Sequence, residues 1–244
     1  MGSLSANDTD HTLRRYQLFE SIENAFNDTQ LGDDRWYIVV IATLVGGPDP
    51  ELAQQLYLYL IDKPQFQSAL SRQALIRRLR EALVKAVSVV GVCKPLEAIM
   101  AINQVEKEAD KDHSTTRDGW QCNEDNLNRA MGWMQRVYTK DTNNTMSLFN
   151  DHQDFAWISK HITYGLYLSD RQILDDVDTE MVVLPAIMIQ NLRNESSWHI
   201  RGTRRIGVSR EDVQIVWDSV QRVAQDLGVK LDKVPTVTNI ESDV

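Results

Sequence analysis

Glu195 and His199 are four residues apart, and on a helix starting near Asn194 that spacing puts a carboxylate and an imidazole on one face. Glu180 stands ahead of them, at the head of an apolar run from Met181 to Ile189 that only Pro185 interrupts. A carboxylate beside a histidine can give a proton to a substrate and take one back, and a second carboxylate can set the histidine's tautomer and charge. Which of Glu195 and His199 is acid and which is base stays open, because burial raises a carboxyl pKa while a helix N-terminus and a neighbouring His⁺ lower it. A structural alternative exists for all three: a helix-start residue, a first-turn carboxylate that offsets the helix dipole, and a satisfied core histidine. Trp198 and Arg201 flank the pair as candidate substrate contacts, and Arg204 and Arg205 add guanidinium groups that could hold a carboxylate or enolate. Trp157, His161 and Tyr164 recur at i, i+4 and i+7, a second candidate face that fits core packing as well as a pocket.

The spacing of the first trio resembles the alkylhydroperoxidase D and carboxymuconolactone decarboxylase family. Its redox members carry Glu, eleven residues, Cys, two residues, Cys, three residues and His; here Glu180 and His199 match, while Leu192 and Glu195 occupy the cysteine positions. A shift of 99 residues lays Glu81 on Glu180 and Cys93 on Leu192, with Leu75 and Val84 on Leu174 and Val183. The chain is therefore similar to two degenerate copies of one helical unit, over about residues 31 to 105 and 145 to 230, the first keeping Glu and one Cys and the second Glu and His. The resemblance implies a homo-oligomer with its site between the Glu-bearing helix and the start of the next. The thiol pair of the peroxidases is missing, which leaves the decarboxylase side: an acid and a base acting on an unsaturated lactone or enol without cofactor or metal. Similar cysteine-poor proteins are associated with fungal secondary metabolism, so the expected activity is that of a lyase or isomerase (decarboxylation, isomerisation or cyclisation) on a small secondary-metabolite-like substrate. Two alternatives stand beside it: one-thiol redox chemistry at Cys93, and a catalytically silent member that binds a ligand or scaffolds a complex.

Hydrophobic periodicity predicts an all-α chain of nine or ten helices. An N-terminal helix with a frayed arm takes residues 1–30, the first unit 31–110, a polar linker and insert helix 111–144, the second unit 145–232 and a flexible tail 233–244. Within these, 36–45 could pass for a strand but has no β-like partner and is expected as helix. The stripe Leu75, Ile76, Leu79, Ala82, Leu83, Ala86 and Val87 marks a helix ended by Gly91, and Cys93 begins the next. Glu108 to Asp125 is expected as a solvated boundary, TNNT as a turn, Ser169 or Asp170 as the cap of the Glu180 helix, and Ser209 with Asp212 as a capping box.

At 244 residues and 42% hydrophobic content the chain can bury a large core, and its net charge of −9 speaks against nucleic acid or an anionic membrane surface as partner. A small-molecule substrate fits better. The N-terminal stretch lacks a signal-peptide apolar region and the longest apolar runs are about half a membrane span, so a cytoplasmic protein is expected. Cys93 and Cys122 are isolated thiols that indicate neither a disulfide framework nor a zinc site.

Overall fold

The computed structural model describes residues 6–244, apart from the side chains of residues 6–9, 143, 144 and 243, and every regular element among them is helical. The helices are α1 (Ala6–Phe26), α2 (Trp36–Gly46), α3 (Ala53–Ile61), α4 (Ala69–Val90), α5 (Cys93–Val105), α6 (Glu124–Tyr138), α7 (Thr142–Ser147), α8 (Gln153–Trp157), α9 (Asp176–Met188), α10 (Arg193–Arg205), α11 (Arg210–Asp226) and α12 (Val237–Ile240). A π-helical segment, Ile158–Tyr167, continues α8.

Two helices are enclosed on every side and form the centre. All of α2 is buried, as is α9 from Asp178 to Met188, and the two pack on each other inside a shell made by α1, α3, α4, α5, α10 and α11. This explains why the β-branched run at 36–45 is helical: a helix enclosed on all faces needs no polar side, and no strand exists among the described residues to pair with it. Asp175 caps α9 through a reciprocal box with Asp178, where Ser169 or Asp170 was expected. Asp178 also accepts from Arg35 at 2.8 Å and from Arg78 at 3.4 Å, which fastens the start of α9 to α2 and α4 two residues before Glu180. Ser169 and Asp170 close the preceding turn instead, Ser169 on the Gly165 carbonyl and Asp170 on the Gln172 N–H. Ser209 caps α11 by accepting from the Asp212 N–H, but the expected reciprocal half of the box is not made, since the Asp212 carboxylate accepts from the Gln30 N–H instead.

Three segments differ from their sequence reading. The TNNT stretch is the first part of α7. The polar stretch after α5 is strapped down along α4: Asp110 pairs with Arg72, Asp112 with Arg77 and Arg80, and Arg117 makes two bonds of 2.7 and 2.8 Å to Glu81. Burial opposes ionisation of Asp112, yet hydrogen bonds from Ser114 and Arg80 hold it down to about 2. The arginines at the margin of the α4 stripe are thus the anchors of a segment whose composition resembles a linker. The tail also docks: Val234, Val237 and Ile240 are buried, Trp217 donates to the Pro235 carbonyl, and Arg204 pairs with Glu241.

Candidate functional site

Glu180 is fully buried on α9, and its Oε2 lies 3.0 Å from Nδ1 of His199 on α10. With the carboxylate as the acceptor of this bond, a neutral imidazole at His199 has its proton on Nδ1 and its Nε2 lone pair turned the other way. In that direction lies the Tyr164 hydroxyl at 3.5 Å, itself 2.6 Å from the Tyr138 hydroxyl. Thr203 supports the assembly, with Oγ1 2.7 Å from the His199 carbonyl and 3.4 Å from Glu180 Oε2. The second carboxylate oxygen, Oε1, is buried with no hydrogen-bond partner. Burial pushes Tyr138 up to about 12 and, helped by Tyr138, Tyr164 well above the ordinary phenol range. Both phenols therefore keep their protons at neutral pH and act as donors.

Close backbone approaches bring these groups together. A side chain on Gly202 of α10 would sit 2.5 Å from Val137 Cγ1, so the glycine lets α10 press against α6 and puts the Tyr138 ring edge-on to His199. Asn126 of α6 fills the space a side chain on Gly165 would need and donates to the His161 carbonyl at 2.9 Å, which pins the π-helical segment on the same helix. The site is thus framed by α9, α10, α6 and the π-helical segment, with α6 entering from the stretch read as linker and insert.

His199, Tyr164 and Tyr138 line a cavity of about 250 Å³ whose other walls are largely apolar, among them Met134, Val183 and Ile187. Glu195 and Trp198 also line it, so α10 brings Glu195, Trp198 and His199 to one space as the spacing predicted. Leu192 sits at its margin, 39% exposed, and is not a core residue. Arg201 borders an adjoining cavity of about 240 Å³ with Tyr138, Trp198 and Arg205. Arg205 is held by Asp141 at 2.8 Å and Arg204 by Glu241, so those two guanidiniums have structural partners.

The face of Trp157, His161 and Tyr164 is divided. In a π-helix the hydrogen bonds run from i to i+5, so each residue advances less around the axis and the i+7 position rotates off the α-helical face. Trp157 is 51% exposed and stacks on His161, while Tyr164 alone of the three borders the cavity. Cys93 is exposed at the start of α5, borders none of this space, and has as neighbour a Lys94 committed to the Gly46 carbonyl at 2.9 Å. The residues missed from sequence are Tyr138 and Thr203. An aromatic at the end of an apolar stripe on a supposed insert helix was the signal for the first; nothing pointed to the second.

Among the described residues no group of three or more His, Cys, Asp or Glu is placed to hold a metal ion, and no helix is long and apolar enough to cross a membrane. No protein-family model matches the chain, and no solved structure does. The chain is similar to Peroxisomal protein 2 of Schizosaccharomyces pombe, with 20% identity over 204 residues, 73% of this chain and 91% of that protein.

Proposed function

We propose that the chain is an acid/base enzyme, an isomerase, cyclase or decarboxylase, acting on a small unsaturated and mainly apolar substrate in the cavity beside His199. The observation that carries this reading is the buried series Glu180, His199, Tyr164 and Tyr138 meeting an apolar space. In the proposed reaction Nε2 of His199 takes a proton from a substrate carbon next to a carbonyl, Glu180 stabilises the imidazolium, and the Tyr164 hydroxyl donates to the developing enolate oxygen. Return of the proton to a different carbon completes an isomerisation. In a decarboxylation no carbon-bound proton is taken first: the C–C bond to the substrate carboxylate breaks, carbon dioxide leaves, and the enolate left behind takes one proton from protonated His199. Glu195 at the same wall is the second candidate for proton delivery. None of these steps changes the substrate's oxidation state by an external oxidant or reductant, so the proposal includes no cofactor.

In the same proposal the chain is a distant, cysteine-poor relative of the alkylhydroperoxidase D and carboxymuconolactone decarboxylase proteins, built from two copies of their unit. What supports the duplication is that α4 and α5, like α9 and α10, are two helices separated by a short break, with a buried glutamate on the first of each pair. A homo-oligomer also belongs to it, since Leu148, Phe155, Trp157 and Ile158 form exposed apolar surface at α7, α8 and the π-helical segment. For location the cytoplasm remains the proposal, with the peroxisome, from the printed name of the relative, as its alternative; imaging a tagged chain against a peroxisomal marker decides between them.

The test is to delete the gene in its host, identify the metabolite that accumulates, and offer it to the purified protein. Turnover lost in His199→Ala at an unchanged melting temperature supports the reading, and wild-type turnover in that variant refutes it. A second reading, a binding protein without catalysis, is favoured by the 3.5 Å separation of Tyr164 from His199, at the outer limit of a hydrogen bond. It predicts saturable binding of the same metabolite with no product.

A further inference from the structure

The face of α6 opposite the tyrosine and histidine cavity carries a second set of charged and aromatic residues, which also fasten the neighbouring turn, Arg129 to Ser169 and Arg171 to the Leu168 and Asp170 carbonyls. Arg129, Gly132, Trp133 and Arg136 follow one another at helical spacing and, with Trp120 and Arg171, line an open cleft of about 660 Å³. That is the size of a site for a small organic molecule. Guanidinium groups stack on both indoles: Arg129 lies 4.3 Å from the Trp120 ring centre, and Arg171 lies 4.4 Å and Arg136 5.7 Å from that of Trp133. In a chain of net charge −9, three arginines on one cleft are a local reversal of sign. Of the two acids that border the cleft, Asp170 is turned to the Gln172 N–H and toward Arg117, and only Asp176 pairs with the cleft's cations, bridging Arg136 and Arg171.

One further observation points to an occupant, and it is Gly132. Glycine in a helix interior is unfavourable relative to alanine, and helical glycines are explained when a neighbour presses against them. Gly165 and Gly202 have such neighbours, whereas a side chain on Gly132 would meet nothing within 4 Å. The cleft floor is kept open where packing does not demand it.

We infer that this cleft binds an organic oxyanion, a phosphate or carboxylate group carried on a larger body, with Arg129, Arg136 and Arg171 receiving the charge and the indoles of Trp120 and Trp133 backing the guanidiniums. Guanidinium forks are the side chains best matched to both groups, and the carboxylate of Asp176 already lies across two of them as the ligand's would. The site is separate from the His199 cavity and stands whether or not the proposed reaction is correct. The experiment is calorimetry and tryptophan fluorescence of the full chain with pyrophosphate in one arm and citrate in the other, sodium chloride holding the ionic strength constant. Saturable binding of either probe is expected, and the tighter of the two tells phosphate from carboxylate. Arg129→Gln, which replaces an exposed side chain bonded to Ser169, should weaken binding at least about tenfold, the weight of one charge-assisted contact. Gly132→Leu should abolish binding by filling the floor while all arginines remain and the melting temperature holds or rises. Asp176→Asn should tighten binding by removing the internal competitor. No saturation with either probe at millimolar concentration overturns the inference. Unchanged binding in Gly132→Leu, or binding in Asp176→Asn no tighter than in the parent, overturns it as well.

Discussion

Glu180→Gln tests the proposed chemistry at its most constrained point. If the amide oxygen took the place of Oε2, it would still accept from Nδ1, and the loss would be only the difference between a charged and a neutral hydrogen bond, about 1–2 kcal/mol or roughly 5- to 30-fold in rate. The surroundings favour the other orientation. With its oxygen at Oε2, the new NH₂ would lie where Oε1 now has no partner; with its NH₂ at Oε2, it can donate both to Nδ1 and to the Thr203 hydroxyl, whose own proton is used on the His199 carbonyl at 2.7 Å. That arrangement gives the NH₂ two acceptors, leaves only the amide oxygen unpaired at the Oε1 position, and inverts the imidazole, leaving Nε2 protonated and unable to accept. The expected loss is therefore about 10⁴-fold, as when a buried carboxylate that orients a catalytic histidine becomes its amide. Stability should hold or rise, because a buried charge with one unpaired oxygen is removed. The assays are turnover of the accumulated metabolite, thermal melting, and ¹⁵N NMR of the His199 ring in its neutral form, with the proton on Nδ1 in the parent and on Nε2 in the variant. Parent-level turnover in Glu180→Gln, or an Nε2–H tautomer in the parent, would refute the reasoning.

Glu195→Gln should lower turnover by about 10²- to 10⁴-fold if this carboxylate returns the proton, with melting unchanged. Leu192→Ala should cost less than about 1 kcal/mol because the side chain is 39% exposed, whereas Leu184→Ala, at a fully buried position, should cost about 2–5 kcal/mol by denaturant melts. Lys85 is fully buried with Nζ on the Asp170 carbonyl at 2.8 Å, and burial pushes it down to about 7 against the pull of Glu81. The unfolded chain keeps that proton up to the ordinary lysine range and the folded chain gives it up near neutrality, so stability from this group rises with pH between those points, and Lys85→Met should flatten the rise in melts taken across that window. Removal of residues 233–244 should lower the melting temperature, since it strips Val234, Val237 and Ile240 from the core and leaves Arg204 without Glu241.

The helices were readable because their signals are local: a stripe at helical spacing from Leu75 to Val87, a stop at Gly91, a serine cap at Ser209. The grouping of Glu195, Trp198 and His199 was readable for the same reason, since all three stand within two turns of α10. Partners from elsewhere in the chain were not. Tyr138 reaches His199 only because Gly202 allows α10 against α6, and Glu180 meets Thr203 across 23 residues of sequence. The i, i+7 inference from Trp157 to Tyr164 failed because periodicity assumes an α-helix, and the segment winds as a π-helix. The strap from Asp110 to Arg117 and the docked tail were hidden by composition, which records polarity but not whether an arginine on another helix stands ready to pair with it.

Glu81 and Glu180, equivalent under the proposed duplication, are two buried glutamates with partners of different kinds. Both are removed from water, at 4% and 0% exposure, so each needs a polar partner inside the protein. Glu81 has Arg117, which makes two bonds to it and cannot give up its proton, with Lys85 Nζ a further 3.6 Å away. That pair can only hold charge in place, and it holds the strap onto α4. Glu180 has His199, whose second nitrogen faces a cavity and can exchange a proton with whatever occupies it. The difference between the fastening and the proposed reactive site at these two positions therefore lies in the acidity of the partner and in the open space behind it, neither of which the glutamates themselves disclose.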